Sequence, residues 1–204
     1  MKKILSMLTF VLMTTNVFSQ AWGIYAGVNF SNTSRWLRPP ALEISRIPGI
    51  QIGVSTEFST RNPSIGFQTD VLFSQLGVRM ESSSVSFFAT IRETGTLRLN
   101  CILTRAHIQF RTNFNGGVEL ILHTGFHAGY ALWATARYER SLNGVVVSSE
   151  NDQFFGNAFG RAAELGVGIG TALLIQDRFR IGIGYDIGIL FHNLTISAAY
   201  MIRR

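Results

Sequence analysis

The chain is poor in the residues that keep a protein surface wet. Asp, Glu, Lys and Arg make up 15% of its 204 residues, against roughly 25% in an average soluble domain. Hydrophobic residues reach 47% and aromatics 12%, a balance that excludes intrinsic disorder. Cysteine is nearly absent. With Cys101 alone, an internal disulfide, a disulfide scaffold and a thiolate zinc cluster are all excluded, and cysteine usage leaves the redox compartment open. Long apolar runs are missing too. The longest, Ile4 to Met13, is too short and too interrupted by polar residues to span a bilayer as a helix, which excludes a multi-span helical membrane protein. Lysine does not occur after Lys3, and the 16 arginines are scattered singly up to the closing Arg203-Arg204. No dense basic stripe exists, so nucleic acid is not an expected partner.

What is present begins with a leader. Lys2 and Lys3 precede the run Ile4 to Met13, and Val17-Phe18-Ser19 offers a small-residue exit. This pattern reads as a secretory signal peptide over residues 1–20, cleaved beside Gln20. Its removal leaves 16 Arg against 12 acids, a net charge of +4 on residues 21–204. An all-arginine cation set suits planar pairing with carboxylates and phosphates.

Beyond Gln20 the apolar residues recur with period two, the signature of strands with one greasy face. Trp22, Ile24, Ala26, Val28 and Phe30 alternate with Gly23, Tyr25, Gly27 and Asn29. Ile50 to Phe58 alternate with Gln51 to Ser59, and Ile65 to Phe73 alternate with Gly66 to Ser74. A fourth strand ends near Arg111, its phase slipping before Asn100; a fifth runs from Val118 to Ala134 with Trp133 on the polar side. Segments 163–170, 179–191 and 194–202 supply three more, with Phe191 on the apolar side. About eight antiparallel strands, apolar on one face and glycine plus charge on the other, admit two closures. A soluble barrel turns the apolar face inward; an outer-membrane barrel turns it to lipid. The polar face is too rich in glycine and too poor in charge to be a water-facing surface, whereas a narrow lumen requires small residues there. The expected fold is therefore an all-β transmembrane up-and-down barrel over residues 21–204, located in the outer membrane.

Connections alternate in length. Those near Arg61-Asn62-Pro63, Phe114-Asn115-Gly116 and Gln176-Asp177-Arg178 are short and expected on the periplasmic side. Those over 31–48, 81–96 and 141–153 are long, and a final outer one, His192-Asn193, is tight. Aromatics gather where the two interfaces fall: Trp22, Phe58, Phe67, Phe110, Phe179 and Tyr200 at one end, Phe30, Phe73, Tyr138 and Phe191 at the other.

The segments Trp22-Gly23-Ile24-Tyr25-Ala26-Gly27-Val28-Asn29-Phe30, Gly53-Val54-Ser55-Thr56-Glu57-Phe58 and Asp70-Val71-Leu72-Phe73-Ser74-Gln75-Leu76-Gly77 resemble the porin-family, PorT-like small outer-membrane β-barrels. The likeness resumes at Gly125-Phe126-His127-Ala128-Gly129-Tyr130, Glu164-Leu165-Gly166-Val167-Gly168 and Ile196-Ser197-Ala198-Ala199-Tyr200. It implies an outer-membrane barrel without an assigned activity, in contact with outer-membrane lipid including lipopolysaccharide and inserted by the barrel-assembly machinery. The chain departs from the family in having Ile102-Leu103-Thr104-Arg105 in strand four and in closing on Arg203-Arg204 rather than on an aromatic residue.

The residues able to carry chemistry fall on the inward face: Glu57, Asp70, Arg105, Glu119, Glu164, Arg180 and Asp186, with His107, His123 and His127. In a narrow barrel such a set reads first as a salt-bridged plug that fixes register. A three-residue turn at Phe114-Asn115-Gly116 would set His107 opposite His123 and Arg111 opposite Glu119. Paired imidazoles invite zinc or copper, but His127 then lies two inward positions away and Arg105 opposes a cation, so no tight metal site and no cofactor is expected. A rim Ser-His-acid hydrolase would have to use His192, and no enzyme is expected. Gly166-Val167-Gly168-Ile169-Gly170 opens no helix and is explained by alternation. In the outer loops Trp36, Leu37, Pro39, Pro40, Ala41, Leu42 and Ile44, with Val85, Phe87, Phe88 and Ile91, either cap the mouth or offer a surface to a partner protein; Arg35, Arg38 and Arg46 beside them suit lipopolysaccharide phosphates.

Overall fold

A computed structural model describes residues 21–33, 43–86, 89–114, 116–155 and 163–203. Outside these lie the leader 1–20, the loop residues Arg35, Trp36, Leu37, Arg38, Pro39, Pro40, Ala41 and Leu42, and Phe87, Phe88, Asn115 and Arg204. Among the described residues the secondary structure is all strand: β1 (Ala21–Thr33), β2 (Glu43–Ser59), β3 (Ile65–Ser86), β4 (Ala89–Phe114), β5 (Val118–Leu142), β6 (Val145–Phe155), β7 (Ala163–Ile175), β8 (Phe179–Gly188) and β9 (Phe191–Arg203).

Every neighbouring pair is antiparallel, and eight strands close a ring in the order β1-β2-β3-β4-β5-β7-β8-β9, with β9 returning to β1. The ninth, β6, lies outside the ring and pairs only with the outer end of β5. Following the ladders once round, Ala21, Glu57, Gln68, His107, Gly125, Gly168, Asp186 and Asn193 lead back to β1 at Ser31, ten residues beyond the start. Such an offset is the stagger that tilted strands need in order to close. The row it traces is inward throughout.

The outward row is the converse. Ile24, Ile52, Ile169, Ile183 and Ile196 are exposed, and Phe126 is 72% exposed. A water-soluble domain does not leave so continuous an apolar belt uncovered; lipid is its solvent. The turns over 60–64, 116–117 and 176–178 share one end of the barrel, as the alternating connection lengths require.

Beyond the lipid belt the barrel is lopsided. β3, β4 and β5 continue past it and, with β6, form a tall wall, while β1, β7, β8 and β9 end low. The segments 81–96 and 141–153, expected as loops, are thus largely hairpin. Both faces of that sheet are wet, so the period-two apolar signal that marks a lipid-facing strand is missing there. The β5–β6 turn is Asn143-Gly144, with φ of 49° and 84°, the paired positive angles of a two-residue hairpin turn.

Three further details differ from expectation. First, both Gly116 (φ 92°) and Gly117 (φ 75°) take left-handed angles, so Phe114 pairs with Val118 and the whole β4–β5 ladder moves by two residues. β4 accordingly runs on to Phe114 rather than stopping near Arg111. Second, the phase slip lies on β5, not β4: Cys101 pairs with Ala131 and Asn100 with Trp133, leaving Leu132 as an extra residue. This bulge turns Trp133 outward, where its ring packs 5.9 Å from Phe73, and turns Ala134 inward. Third, the tight outer connection is Ile189-Leu190, and His192 and Asn193 lie within β9. Phe191 therefore resumes on the inward parity and is buried rather than serving the aromatic girdle.

The candidate site is a filled lumen

Inward alternation gathers the polar side chains into two hydrogen-bonded groups, one above the other. Glu57, on β2, is the hub of the lower: Oε2 accepts from Arg111 Nη2 at 2.9 Å and Oε1 from Arg180 Nη1 at 2.9 Å. Gln109 also donates to it, at 3.4 Å. Arg180 and Gln109 both donate to Gln68 Oε1, and the amide of Gln68 donates onward to Ser55 and Asp70. Higher in the barrel Arg105 donates to Asp186 (2.8 Å), Gln51 (3.2 Å) and Tyr25 Oη (3.3 Å). A buried pair of this kind is held by geometry and by the neutral donors and acceptors around it, because desolvation offsets much of the Coulomb attraction.

The histidines occupy the space that glycine leaves. His107 and His123 stack with centroids 4.9 Å apart, although the two-residue register shift sets His107 opposite Gly125 and His123 opposite Gln109. A Cβ on Gly170 would fall 2.5 Å from His123 Nε2, so that glycine is what admits the imidazole. His127 pairs with Arg105 across the ladder and lies between two carboxylates, with Nε2 3.9 Å from Glu164 Oε1 and Nδ1 4.0 Å from Asp186 Oδ1. Glu164 in turn accepts the backbone N–H groups of Leu190 (3.1 Å) and Phe191 (3.4 Å), clasping the β8–β9 turn. Arg111 faces Ile121 rather than Glu119 and reaches Glu119 only at 3.9 Å.

All ten inward residues singled out by alternation thus do share the lumen. Glu57, Asp70 and Arg180 share the lower group, which His123 joins through Arg180 at 3.5 Å and His107 through its stacking on His123; Arg105, Asp186, His127 and Glu164 lie together above, and Glu119 stands at the lower margin. Sequence reasoning set Gln51, Gln68 and Gln109 on the right face without giving them a role, yet they carry hydrogen bonds between the charged groups. It gave the inward apolar residues no packing role, although Tyr25 and Leu103 alternate on the polar side. Leu72, Leu103, Ile121, Leu174 and Met201 form one buried cluster with Tyr25, and Leu76, Val78, Leu99, Ala131, Ala134 and Phe191 form a second across the outer mouth, with Cys101. The only available signal was parity: each Leu in β3 and β4 occupies an inward number.

Beside the first cluster a cavity of about 30 Å³ is lined by Tyr25, Asp70, Arg105, His107, His123 and Arg180 among others. That is space for a water molecule or two, not for a solute. His192, the rim residue considered for hydrolysis, pairs with Ile187 on β8 and turns its ring edge-on to Tyr185.

The chain's fold can be set beside known proteins. No curated protein matches the sequence. Among solved structures, Ail, the attachment invasion locus protein of Yersinia pestis, superposes with a TM-score of 0.46 at 15% identity over 90% of this chain and 99% of that one. Neisserial surface protein A gives 0.38 at 12% over 90% and 99%, and the N-terminal β-barrel domain of Pseudomonas aeruginosa OprF gives 0.38 at 11% over 90% and 98%. Residues 18–192 match the family described as outer membrane protein beta-barrel domain, and with that span covering most of the chain the protein belongs to this family and resides in the outer membrane.

Proposed function

We propose that the protein is a closed, non-enzymatic barrel with a structural or accessory role in the outer membrane, porin-like in architecture but not an open channel. The observation that supports this reading is the double seal: a charged network spanning the lumen and an apolar layer built on Leu76, Val78, Leu99 and Phe191 across its outer mouth. Residues 1–20 serve in this reading as a cleaved export signal, and the narrower kinship with PorT-like porins belongs to the same proposal. Its expected partners are outer-membrane lipid, lipopolysaccharide included, and the barrel-assembly machinery during insertion. The outer loops are, in the same proposal, the surface open to a protein partner.

Planar-bilayer recording on the refolded full chain is the deciding experiment. The expected trace shows no large steady conductance; stable openings of a wide porin would overturn the closed-lumen reading.

A further inference from the structure

The outward face of the wall carries cations in the rows next to the membrane, acids in the row beyond and Arg92 in the row past those. Ladder by ladder, Gln75, Asn100 and Trp133 form the first row, then Gly77, Arg98 and Thr135, then Arg79, Thr96 and Arg137, then Glu81, Thr94 and Glu139. Trp133 fixes which face this is, because it packs on lipid-facing Phe73 and alternate residues beyond it keep its side. Arg98 therefore stands one row, about 6.8 Å, outside a tryptophan at the interface. Arg79 and Arg137 flank it diagonally at roughly 7–8 Å.

Arg98 is oriented rather than loose. Its Nη1 donates to Gln75 Oε1 at 3.1 Å, and Gln75 Nε2 donates to the buried Asn100 Oδ1 at 3.1 Å. No carboxylate pairs with Arg98 among the described residues, whereas Arg79 and Arg137 each lean on an acid of the outer row, at 2.9 Å to Glu81 and 2.6 Å to Glu139. The chain Asn100-Gln75-Arg98 presents one free guanidinium edge at head-group height.

We infer that Arg98, flanked by Arg79 and Arg137, binds phosphate groups of the phosphorylated glycolipid in the outer leaflet. This rests on the reading above that the short turns face the periplasm and the wall stands outside. A guanidinium matches a phosphate with two parallel N–H donors. Height selects a lipid: Arg98 stands one row outside Trp133, whereas Arg92, the cation of the outermost row on this face, is taken up by Glu81.

The test uses the full chain refolded in zwitterionic micelles and titrated with fluorescent bisphosphorylated lipid A, with its dephosphorylated form and with inorganic phosphate as competitor. The bisphosphorylated form is expected to bind at least about tenfold more tightly than the dephosphorylated one. Arg98→Gln should remove most of that preference and the triple change Arg79→Gln, Arg98→Gln, Arg137→Gln all of it, while Arg61→Gln with Arg178→Gln in the periplasmic turns should leave it intact. Equal binding of the two lipids, an unaffected Arg98→Gln variant, or displacement by inorganic phosphate at concentrations similar to the lipid would each overturn the site. A heat-modifiability gel on the same samples separates the two readings: loss of the folded band in the unaltered protein overturns the barrel itself, and a retained band without lipid preference overturns only the phosphate site.

Discussion

The ring and the wall are one sheet in two solvents. Within the ring, charged residues are inside and apolar ones outside; Arg105 and Asp186 are almost wholly buried while Ile183 and Phe126 meet lipid. In the wall the ion pairs Arg79–Glu81, Arg92–Glu81, Arg137–Glu139 and Arg140–Glu93 stand in water with their arginines about half exposed or more. The same hydrogen-bonded ladder runs through both. What changes across the interface is the cost of an unpaired charge, and with it the rule by which sequence reports structure.

The contrast is broken most severely by removing a lumen acid. Glu57→Ala leaves Arg111 and Arg180 facing each other without their shared carboxylate and should lower stability by about 3–5 kcal/mol; Glu139→Ala in the wall should change it by less than about 1 kcal/mol. Urea unfolding in lipid bilayers measures both, and equal effects would dissolve the distinction. A charge added to the outside of each region comes next. Ile183→Arg, mid-strand on the lipid face, should cost about 2–4 kcal/mol, whereas Val146→Arg in β6 should stay within about 0.5 kcal/mol of the unaltered protein.

A smaller effect is expected at the boundary between the regions. Glu164→Gln discharges the clasp on the β8–β9 turn, and a hydrogen bond to a charged group contributes about 1.5–3 kcal/mol. Hydrogen exchange at the Leu190 and Phe191 amides should quicken while the Glu57 cluster stays protected. Unchanged exchange would show that the turn holds itself.

The smallest effect concerns acid. The hydrogen bond from Arg92, with the charges of Arg92 and Arg79, holds the Glu81 carboxyl below its ordinary value of 4.5. A depressed carboxylate stabilises the fold above that ordinary value and loses its contribution as pH falls through the lowered folded one. Amides over 79–86 and 89–94 should therefore keep their protection from neutrality down to mildly acidic pH and lose it below the usual carboxylate range, ahead of those over 69–74. Protection unaltered in acid would mean that the exposed pair contributes nothing measurable.

The ring was legible because lipid outside and a narrow lumen inside enforce alternation residue by residue: Ile181, Ile183 and Ile187 against Arg180, Gly182 and Asp186 admit one reading. The lumen network followed from the same parity. The wall was not legible, since Ser82, Thr94, Arg137 and Ser149 face water on either side and no period distinguishes them from loop. Register across β4 and β5 was lost for a more local reason, a second glycine. Gly117 moves the three-residue turn one position along the chain, so that Phe114 closes the ladder on Val118 and every partner shifts by two; the inward face is unchanged, and the face assignment survived while the partners did not. The bulge at Leu132 had the opposite effect: it shifts the ladder by a single residue and so exchanges the faces of Trp133 and Ala134.

The offset of ten residues round the ring has a consequence for how the chain comes to be folded. Every other ladder of the ring joins strands adjacent in sequence, or β5 and β7 across the β6 excursion, but the ladder that completes the ring joins Ala21 to Arg203, the first described strand to the last. Its stagger must be correct along thirteen pairs at once, and a slip of one residue would turn every side chain of β1 to the wrong solvent. Until that seam shuts, β1 and β9 present two bare edges in the bilayer, where unpaired backbone groups are costly. Assembly is thereby a problem of long-range search, with contact order rather than local propensity setting its pace.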